Sequence, residues 1–270
     1  ADRRRIAEIA GGNARIAMAL AHTVRNGESL GRLRDDGLFE RLFLQRNSSD
    51  TGLLAAAEIA ALVYSFDGEN EEAGGELAVL AALAEQSVTT FKAACAELKR
   101  RDLLQVRSHW RAVLPHAIAN RLAARALDRL DIKRVTEAVE IGGERLLKSF
   151  TRRLAFLHDV PPAQRLAESW FRPGGRLDAV DEIGEADFAL FRNLAPLAPA
   201  GALDAIGRAA ERDRTWAGFR PRCGTLSLHE LGRLVRALAF DPALFDRAAR
   251  RLTEMAIADD AREHSSNERW

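Results

Sequence analysis

Cysteine is scarce in this sequence of 270 residues, which contains only Cys95 and Cys223. The two lie far apart in the chain and form no Cys-x-x-Cys pair, so neither a disulfide framework nor a zinc site is indicated. Such sparse cysteine usage is typical of a reducing compartment. We therefore expect a cytoplasmic protein.

Long hydrophobic runs are also absent, since no stretch of about 18 apolar residues occurs. The first residues, Ala1 to Arg5, are mostly charged and lack the apolar core of a signal peptide. We expect no membrane partner. A helical pattern begins directly after Asp2 without an initiator Met, so we interpret the chain as a piece of a longer protein.

The chain also lacks a strong excess of positive or negative charge. The 40 Lys and Arg residues almost cancel the 39 Asp and Glu residues. No overall field would therefore attract nucleic acid or anionic lipid, and any basic site has to be local. The hydrophobic content of 47% is sufficient for two or three packed units in a chain of this length.

Two motifs of common catalytic sites are absent as well. A P-loop requires a Gly-Lys pair, and the sequence has none, so this chain is not a complete nucleotide hydrolase. Its six histidines show no His-Glu-x-x-His spacing. We expect no catalytic residue, no metal and no cofactor for this segment alone, although the longer protein is expected to be an ATPase.

What is present is a mainly α-helical pattern that divides into three parts. Residues 1–48 form a small helical unit, in which Gly11-Gly12 ends a first helix and Asn13 begins a second. A third helix is predicted around residues 38–43. Residues 53–130 form the second part, and residues 131–270 the third.

The second part has the element order of a winged helix-turn-helix. Apolar periodicity predicts helices over residues 53–66, 76–84 and 88–101. Two short alternating stretches, 103–106 and 111–114, then predict a β-ribbon, and a further helix begins at Pro115. A ribbon directly after the third helix is typical of the winged variant of this motif.

The third part is predicted to be a helical, repeat-like array. Breaks are expected at Gly142-Gly143, Pro161-Pro162, residues 172–175, residues 196–201 and Arg220-Pro221. We expect the last helix over residues 241–258, followed by a linker over residues 261–267.

Two strings in this framework resemble the C-terminal half of STAND NTPases, the switch ATPases that include NACHT and NB-ARC proteins and bacterial antiviral proteins. They are Gly11-Gly12-Asn13-Ala14-Arg15-Ile16-Ala17 and Val113-Leu114-Pro115-His116-Ala117-Ile118-Ala119-Asn120-Arg121-Leu122-Ala123. The resemblance covers about residues 1 to 130. It implies a lid-type subdomain, a winged helix and the beginning of a helical sensor.

The resemblance also implies nucleotide-binding residues. Ala14 stands where STAND proteins often have a proline, but Asn13-Ala14-Arg15 also resembles the start of the lid helix of AAA+ ATPases, where an arginine reaches the terminal phosphate. His116 matches the histidine that contacts the β-phosphate of ADP, although Pro115 and Ala117 replace the family's Met and Asp. A guanidinium and an imidazole at helix starts are both suited to phosphate.

A second interpretation is a transcription regulator that binds DNA through its winged helix. The third helix and the ribbon carry cations at the positions of a recognition surface, namely Lys92, Lys99, Arg100, Arg101 and Arg107. Acidic residues interrupt this surface, since Glu97 lies within it and residues 67–72 contain four. We therefore expect DNA binding to be weak and independent of sequence.

The preferred interpretation is the regulatory segment of a nucleotide-controlled switch in bacterial antiviral defence. Its expected partners are ATP or ADP on an upstream P-loop domain of the same chain, a further copy after activation, and a protein ligand on the C-terminal helices. A plain scaffold is a third interpretation. The switch requires His116 and Arg15 to face one partly open surface, and the regulator requires a continuous positive face.

Overall fold

The structure is a computed structural model that describes residues 2–10, 12, 14–25, 51–212, 216 and 228–267. Over these residues the chain is mainly helical, with one antiparallel sheet of three short strands, which confirms the predicted mainly α class. The chain divides into two compact units, Ala1–Leu157 and His158–Trp270. The boundaries predicted near residues 48 and 130 do not coincide with this division.

The first unit contains the sheet, enclosed by helices that precede and follow it. Its elements are α1 (Asp2–Ala10), α2 (Ala14–Arg25), α3 (Thr51–Ala61), β1 (Phe66–Asp67), α4 (Glu76–Leu83), α5 (Val88–Arg100), β2 (Leu104–Arg107), β3 (Trp110–Val113), α6 (His116–Arg129), α7 (Ile132–Ile141) and α8 (Gly143–Leu154). The helix predicted around residues 38–43 lies outside the described residues.

Helix α5 follows its sequence signals closely. Ser87 caps its start, because the Ser87 hydroxyl accepts a hydrogen bond from the Thr90 amide at 3.1 Å. The apolar stripe of this helix is buried, with Phe91 and Leu98 at 0% and Cys95 at 6% relative exposure. Burial raises the pKa of the Cys95 thiol to about 12, so the thiol remains protonated and unreactive at neutral pH.

The predicted ribbon is confirmed as the antiparallel pair β2–β3. Leu104 lies opposite Val113, and Arg107 lies opposite Trp110. The left-handed backbone of Ser108, with φ of 53°, makes the tight turn between the strands without the Asn-Gly pair that hairpins favour.

The prediction of only two strands was wrong. The expected first helix of this region stops at Ala61, and the chain then forms β1, which pairs with β3 through Phe66 and Arg111. Phe66 is fully buried and packs 6.3 Å from the Phe91 ring. A strand of two residues is too short to show a period of two, so apolar periodicity extended the helix across it.

Helix α3 lies in the core of the first unit and packs against α5 and α6. It is apolar on nearly every side, and its only acidic residue, Glu58, is 0% exposed. Two arginines of α6, Arg125 at 2.7 Å and Arg129, donate hydrogen bonds to the Glu58 carboxylate. These bonds satisfy the buried charge and fix α3 against α6.

Helices α7 and α8 belong to the first unit, although the sequence suggested the third part. Helix α7 packs against α4, and α8 is hydrogen-bonded to the segment between α3 and β1. The Tyr64 amide donates to the Ser149 carbonyl at 3.0 Å, and the Ser65 amide donates to the Ser149 hydroxyl at 2.9 Å. These contacts place the C-terminal end of α8 next to the start of α6.

Among its described residues, the second unit contains helices and the loops that connect them, and no strand. It consists of α9 (Pro161–Phe171), α10 (Glu185–Leu194), α11 (Pro199–Arg212), α12 (Leu228–Leu238) and α13 (Phe245–Asn267). Helix α11 packs against α9 and α13, and α12 packs against α13. The breaks at Pro161-Pro162 and at residues 172–175 coincide with the start and the end of α9.

Two predictions for the second unit were wrong. Helix α11 begins at Pro199 and includes Gly201, inside a predicted break, because proline is well tolerated in a first helical turn. Helix α13 begins at Phe245 rather than at Asp241, and residues 261–267 continue the helix instead of forming a linker. The apolar pattern fades there, but Ala261, Arg262 and Glu263 are good helix formers.

Candidate functional site

His116 is the first residue of α6, a helix of 14 residues. Pro115 precedes it as the N-cap residue and provides no side-chain hydrogen bond to the helix start. The first amides of a helix have no partner within the helix, and together with the helix dipole they favour an anion. His116 therefore lies where the resemblance expects a phosphate contact.

Two aromatic rings stack near the His116 imidazole. The Tyr64 ring stacks on it with centroids 5.1 Å apart, and the Tyr64 hydroxyl lies 3.4 Å from Nε2 of His116. Phe156 stacks at 6.4 Å from both rings and is 49% exposed. The imidazole is thus held in place at a partly open surface.

Two arginines from the last turn of α8 complete this group. The Arg152 guanidinium carbon lies 3.8 Å from the centre of the Tyr64 ring, and that of Arg153 lies 5.5 Å from it. Arg152 is exposed, whereas Arg153 is 0% exposed and donates through Nη1 to the Asn120 side-chain oxygen at 2.7 Å. We call Tyr64, His116, Asn120, Arg152, Arg153 and Phe156 the His116 cluster.

The His116 cluster contains cations and no carboxylate. Among the described residues, neither Arg152 nor Arg153 has an acidic partner within ion-pair distance, and Nε and Nη2 of Arg153 have no hydrogen-bond partner. Burial lowers the pKa of the Arg153 guanidinium to about 10, so it remains charged at neutral pH. Burial, and then the charges of Arg153 and Arg152, lower the pKa of His116.

This charge distribution determines what the site can do. With a lowered pKa, His116 is neutral at physiological pH and can donate or accept one hydrogen bond. The two guanidinium groups provide positive charge, which an anion would neutralise. The cluster is therefore suited to bind an anion.

The positions of the other two predicted nucleotide-binding side chains are outside the described part of the chain. Asn13 lies outside the described residues. Arg15 belongs to α2, but its side chain is also outside the description. Helix α1, which precedes both, packs against α6. The common surface for Arg15 and His116 remains a prediction.

Three of the five cations of the predicted DNA surface have acidic partners. Lys92 forms an ion pair with Glu71. Glu97 accepts hydrogen bonds from Arg101 at 2.5 Å and from Arg100 at 2.7 Å. The hydrogen bond from Arg101, and to a smaller extent that from Arg100, lowers the pKa of the Glu97 carboxyl. The acidic residues therefore divide the basic face of α5.

The remaining two cations, Lys99 on α5 and Arg107 on β2, are exposed. Trp110, opposite Arg107 in the ribbon, is only 36% exposed because Arg145 of α8 stacks on its ring at 4.4 Å. The ribbon tip is thereby directed toward α8. Lys99 and Arg107 are therefore isolated cations, and the described residues form no continuous positive surface on α5 and the ribbon.

Arg152 and Arg153 were not identified by sequence reasoning, although one signal was present. The buried face of α8 carries Leu146 and Phe150, and Arg153 follows at the next position of the same helical stripe. An arginine in an apolar stripe needs a partner or a function. Tyr64 gave no comparable signal, because its position beside His116 depends on tertiary packing.

The sequence also contains one Gly-x-Ser-x-Gly string. The residues Gly27–Gly31 read Gly-Glu-Ser-Leu-Gly, the spacing of a hydrolase nucleophile elbow, and lie outside the described residues. In such hydrolases the elbow follows a strand, whereas helix α2 precedes these residues here. The motif therefore lacks the preceding strand that the chemistry requires.

Clefts elsewhere are shallow or mixed in charge. A cleft of about 310 Å³ between α11 and α13 contains four arginines and three acidic residues. Another of about 310 Å³, between α4 and α7, is mostly apolar. Within the described part of the chain, no group of three or more metal-ligating side chains occurs, and no helix has the length and apolarity to span a bilayer.

Comparisons with known proteins add no relative. No protein-family model, curated protein or solved structure matches the chain.

Proposed function

We propose that this chain is the regulatory segment of a nucleotide-controlled switch of the STAND type, in which His116 contacts a phosphate group of the nucleotide. The observation that carries the proposal is the position of His116. It lies at the start of α6 beside Arg152 and Arg153, which have no acidic partner among the described residues. Such a site is complementary to phosphate.

The order of elements in the first unit supports a winged helix. Helix α3 is followed by β1, then by α4 and α5, and then by the ribbon of β2 and β3. The strand β1 pairs with β3 and completes a small sheet beside the three helices. This order is the one expected of a winged helix-turn-helix, so it supports our proposal that the ribbon is a wing.

In the switch that we propose, the winged helix moves relative to an upstream P-loop domain. The closed state holds ADP between that domain and the His116 cluster, and the open state allows copies of the protein to associate. The helices of the second unit begin a repeat-like sensor for a protein ligand. The setting is bacterial antiviral defence in the cytoplasm.

A transcription regulator is less well supported. A DNA-binding winged helix needs an uninterrupted positive face on its third helix. Here Glu71 and Glu97 pair with three of the five cations that would contact DNA. A scaffold without a ligand would not explain why two arginines without acidic partners lie beside His116.

The switch is tested by His116→Ala in the longer protein that combines this chain with the P-loop domain. If His116 binds phosphate only in the closed state, its removal destabilises that state by about 1–3 kcal/mol. The equilibrium then shifts about 5-fold to 150-fold toward the open state. Oligomerisation without the trigger, measured by light scattering, is expected to increase accordingly.

His158→Ala is the matched control, because His158 is exposed and, among the described residues, its backbone carbonyl rather than its side chain accepts a hydrogen bond from Gln164. It should leave the resting state unchanged. If His116→Ala behaves like His158→Ala, with equal thermal stability of the two variants, then His116 is structural and the switch proposal fails.

A further inference from the structure

Arg153 is buried without a compensating negative charge. Its side chain is 0% exposed, and Nε and Nη2 donate to no acceptor in the described structure. Among the described residues, two neighbours offset its charge, the Asn120 amide oxygen at 2.7 Å and the face of the Tyr64 ring at 5.5 Å. Both are neutral groups, so the guanidinium remains an uncompensated cation.

Such a cation is unfavourable unless the protein uses it. Buried charges in proteins are normally paired or fully hydrogen-bonded, because an unpaired charge loses most of its hydration. Here the pKa of Arg153 still leaves it protonated at neutral pH, and Arg152 adds a second charge next to it. The repulsion and the unused donors would both be relieved by one anion.

We propose that Arg152 and Arg153 bind the same phosphate group as His116, and that Tyr64 is the side chain that moves to admit it. This inference rests on the proposed function for the identity of the anion as a nucleotide phosphate. A guanidinium presents two parallel N–H groups, which match two oxygens of one phosphate. Arg153 has the donors Nε and Nη2 available for such a bidentate contact.

Tyr64 covers this site. Its ring lies against Arg152, Arg153 and His116, and its hydroxyl is 3.4 Å from Nε2 of His116. The unused Arg153 nitrogens have almost no accessible surface, so an anion reaches them only after a neighbour moves. Tyr64 is the group in contact with all three binding residues, and it therefore competes with the phosphate.

Inorganic pyrophosphate is the probe for the 270-residue chain. The melting temperature is measured in a magnesium-free buffer with pyrophosphate up to about 20 mM, with potassium chloride keeping the ionic strength constant. A ligand that binds only the folded state raises the melting temperature as its concentration exceeds Kd. We expect such a rise for the wild type.

Arg153→Met is the decisive variant, because methionine fills a similar length without charge. It should abolish the rise with pyrophosphate, while its melting temperature without anion stays equal to or above that of the wild type. A purely structural arginine would behave in the opposite way, since its loss would lower the melting temperature and leave the response intact. Arg152→Gln should weaken pyrophosphate binding about tenfold.

Two further variants complete the test. Tyr64→Leu should strengthen pyrophosphate binding if Tyr64 covers the site, and weaker binding would overturn that part. Arg107→Gln, an exposed arginine on β2, is the control and should respond like the wild type. No rise in the wild type, or an equal rise in Arg153→Met, overturns the proposal.

The two proposals fail separately. A pyrophosphate response that depends on Arg153, together with an unchanged resting state of His116→Ala in the longer protein, would mean an anion site without a switch. A shifted resting state without the pyrophosphate response would leave His116 as the phosphate contact and remove the two arginines from it.

Discussion

Arg145 links four parts of the first unit, and its replacement by alanine is expected to have a large effect. Its guanidinium donates to both carboxylate oxygens of Glu76 on α4 and to the Ser65 carbonyl at 3.0 Å. It also stacks at 4.4 Å on Trp110 in the ribbon. Glu76 in turn accepts from the Asp67 amide of β1 at 2.5 Å.

The magnitude follows from how far these groups are buried. Breaking a fully buried ion pair costs about 3–5 kcal/mol, whereas an exposed pair contributes less than about 1 kcal/mol. The Glu76 side chain is 11% exposed and that of Arg145 is 37% exposed, so the pair lies between these limits. With the stacking on Trp110 included, Arg145→Ala should lower the free energy of unfolding by about 2–4 kcal/mol.

Urea denaturation measures the loss in the free energy of unfolding. Hydrogen exchange of the amides of residues 64–67 measures the same loss locally. The melting temperature of the first unit should fall by about 2–4 °C for each kcal/mol lost. Lys133→Ala is the control, because its pair with Glu137 is exposed, with a distance of 3.9 Å, and should change stability by less than about 0.5 kcal/mol.

A double-mutant cycle with Glu76→Gln isolates the pair, for which a coupling of about 1–3 kcal/mol is expected. If Arg145→Ala lies within about 0.5 kcal/mol of the wild type, then α8 is not held by these contacts. The placement of Arg152 and Arg153 beside His116 would then need another explanation, since the same helix carries them.

Two further outcomes are expected. Duplex DNA should bind weakly and without preference for sequence, because acidic neighbours pair with three of the five cations. Its affinity should fall steeply as the salt concentration rises. Nanomolar, sequence-specific binding in a fluorescence anisotropy assay would favour the transcription regulator instead. Because the pKa of His116 lies below its usual value of about 6.5, the unfolded chain takes up this proton first, so stability is lost as pH falls below about 6.5. The free energy of unfolding of His116→Gln should therefore fall less than that of the wild type between about pH 6.5 and pH 5, and equal losses would contradict the assignment.

Local signals in the sequence predicted much of the first unit. The Ser87 cap and the stripe of Phe91, Cys95 and Leu98 determine α5, because cap and period are properties of adjacent residues. The strand β1 could not be predicted in this way. Its two residues become a strand only by pairing with β3, more than forty residues later in the chain.

The candidate site was predictable only in part, for the same reason. His116 was proposed as a site residue because its neighbours in sequence resemble a known string, and its place at the start of α6 depends on local sequence alone. Tyr64 and Arg153 lie near His116 because α8 is hydrogen-bonded to the segment after α3. Such contacts between distant segments leave little pattern in a single sequence. The one signal here was Arg153, an arginine in the apolar stripe of α8.

The assembly of the site from distant segments determines what a bound phosphate could change. His116 begins α6, Tyr64 follows α3, and Arg153 lies in the last turn of α8. Negative charge would reduce the repulsion between Arg152 and Arg153 and favour the packing of α8 beside α6. Without it, Arg153 remains buried and uncompensated, so this end of α8 is the element most sensitive to the anion. A switch requires such an element, because a ligand shifts an equilibrium only through contacts that differ between the two states.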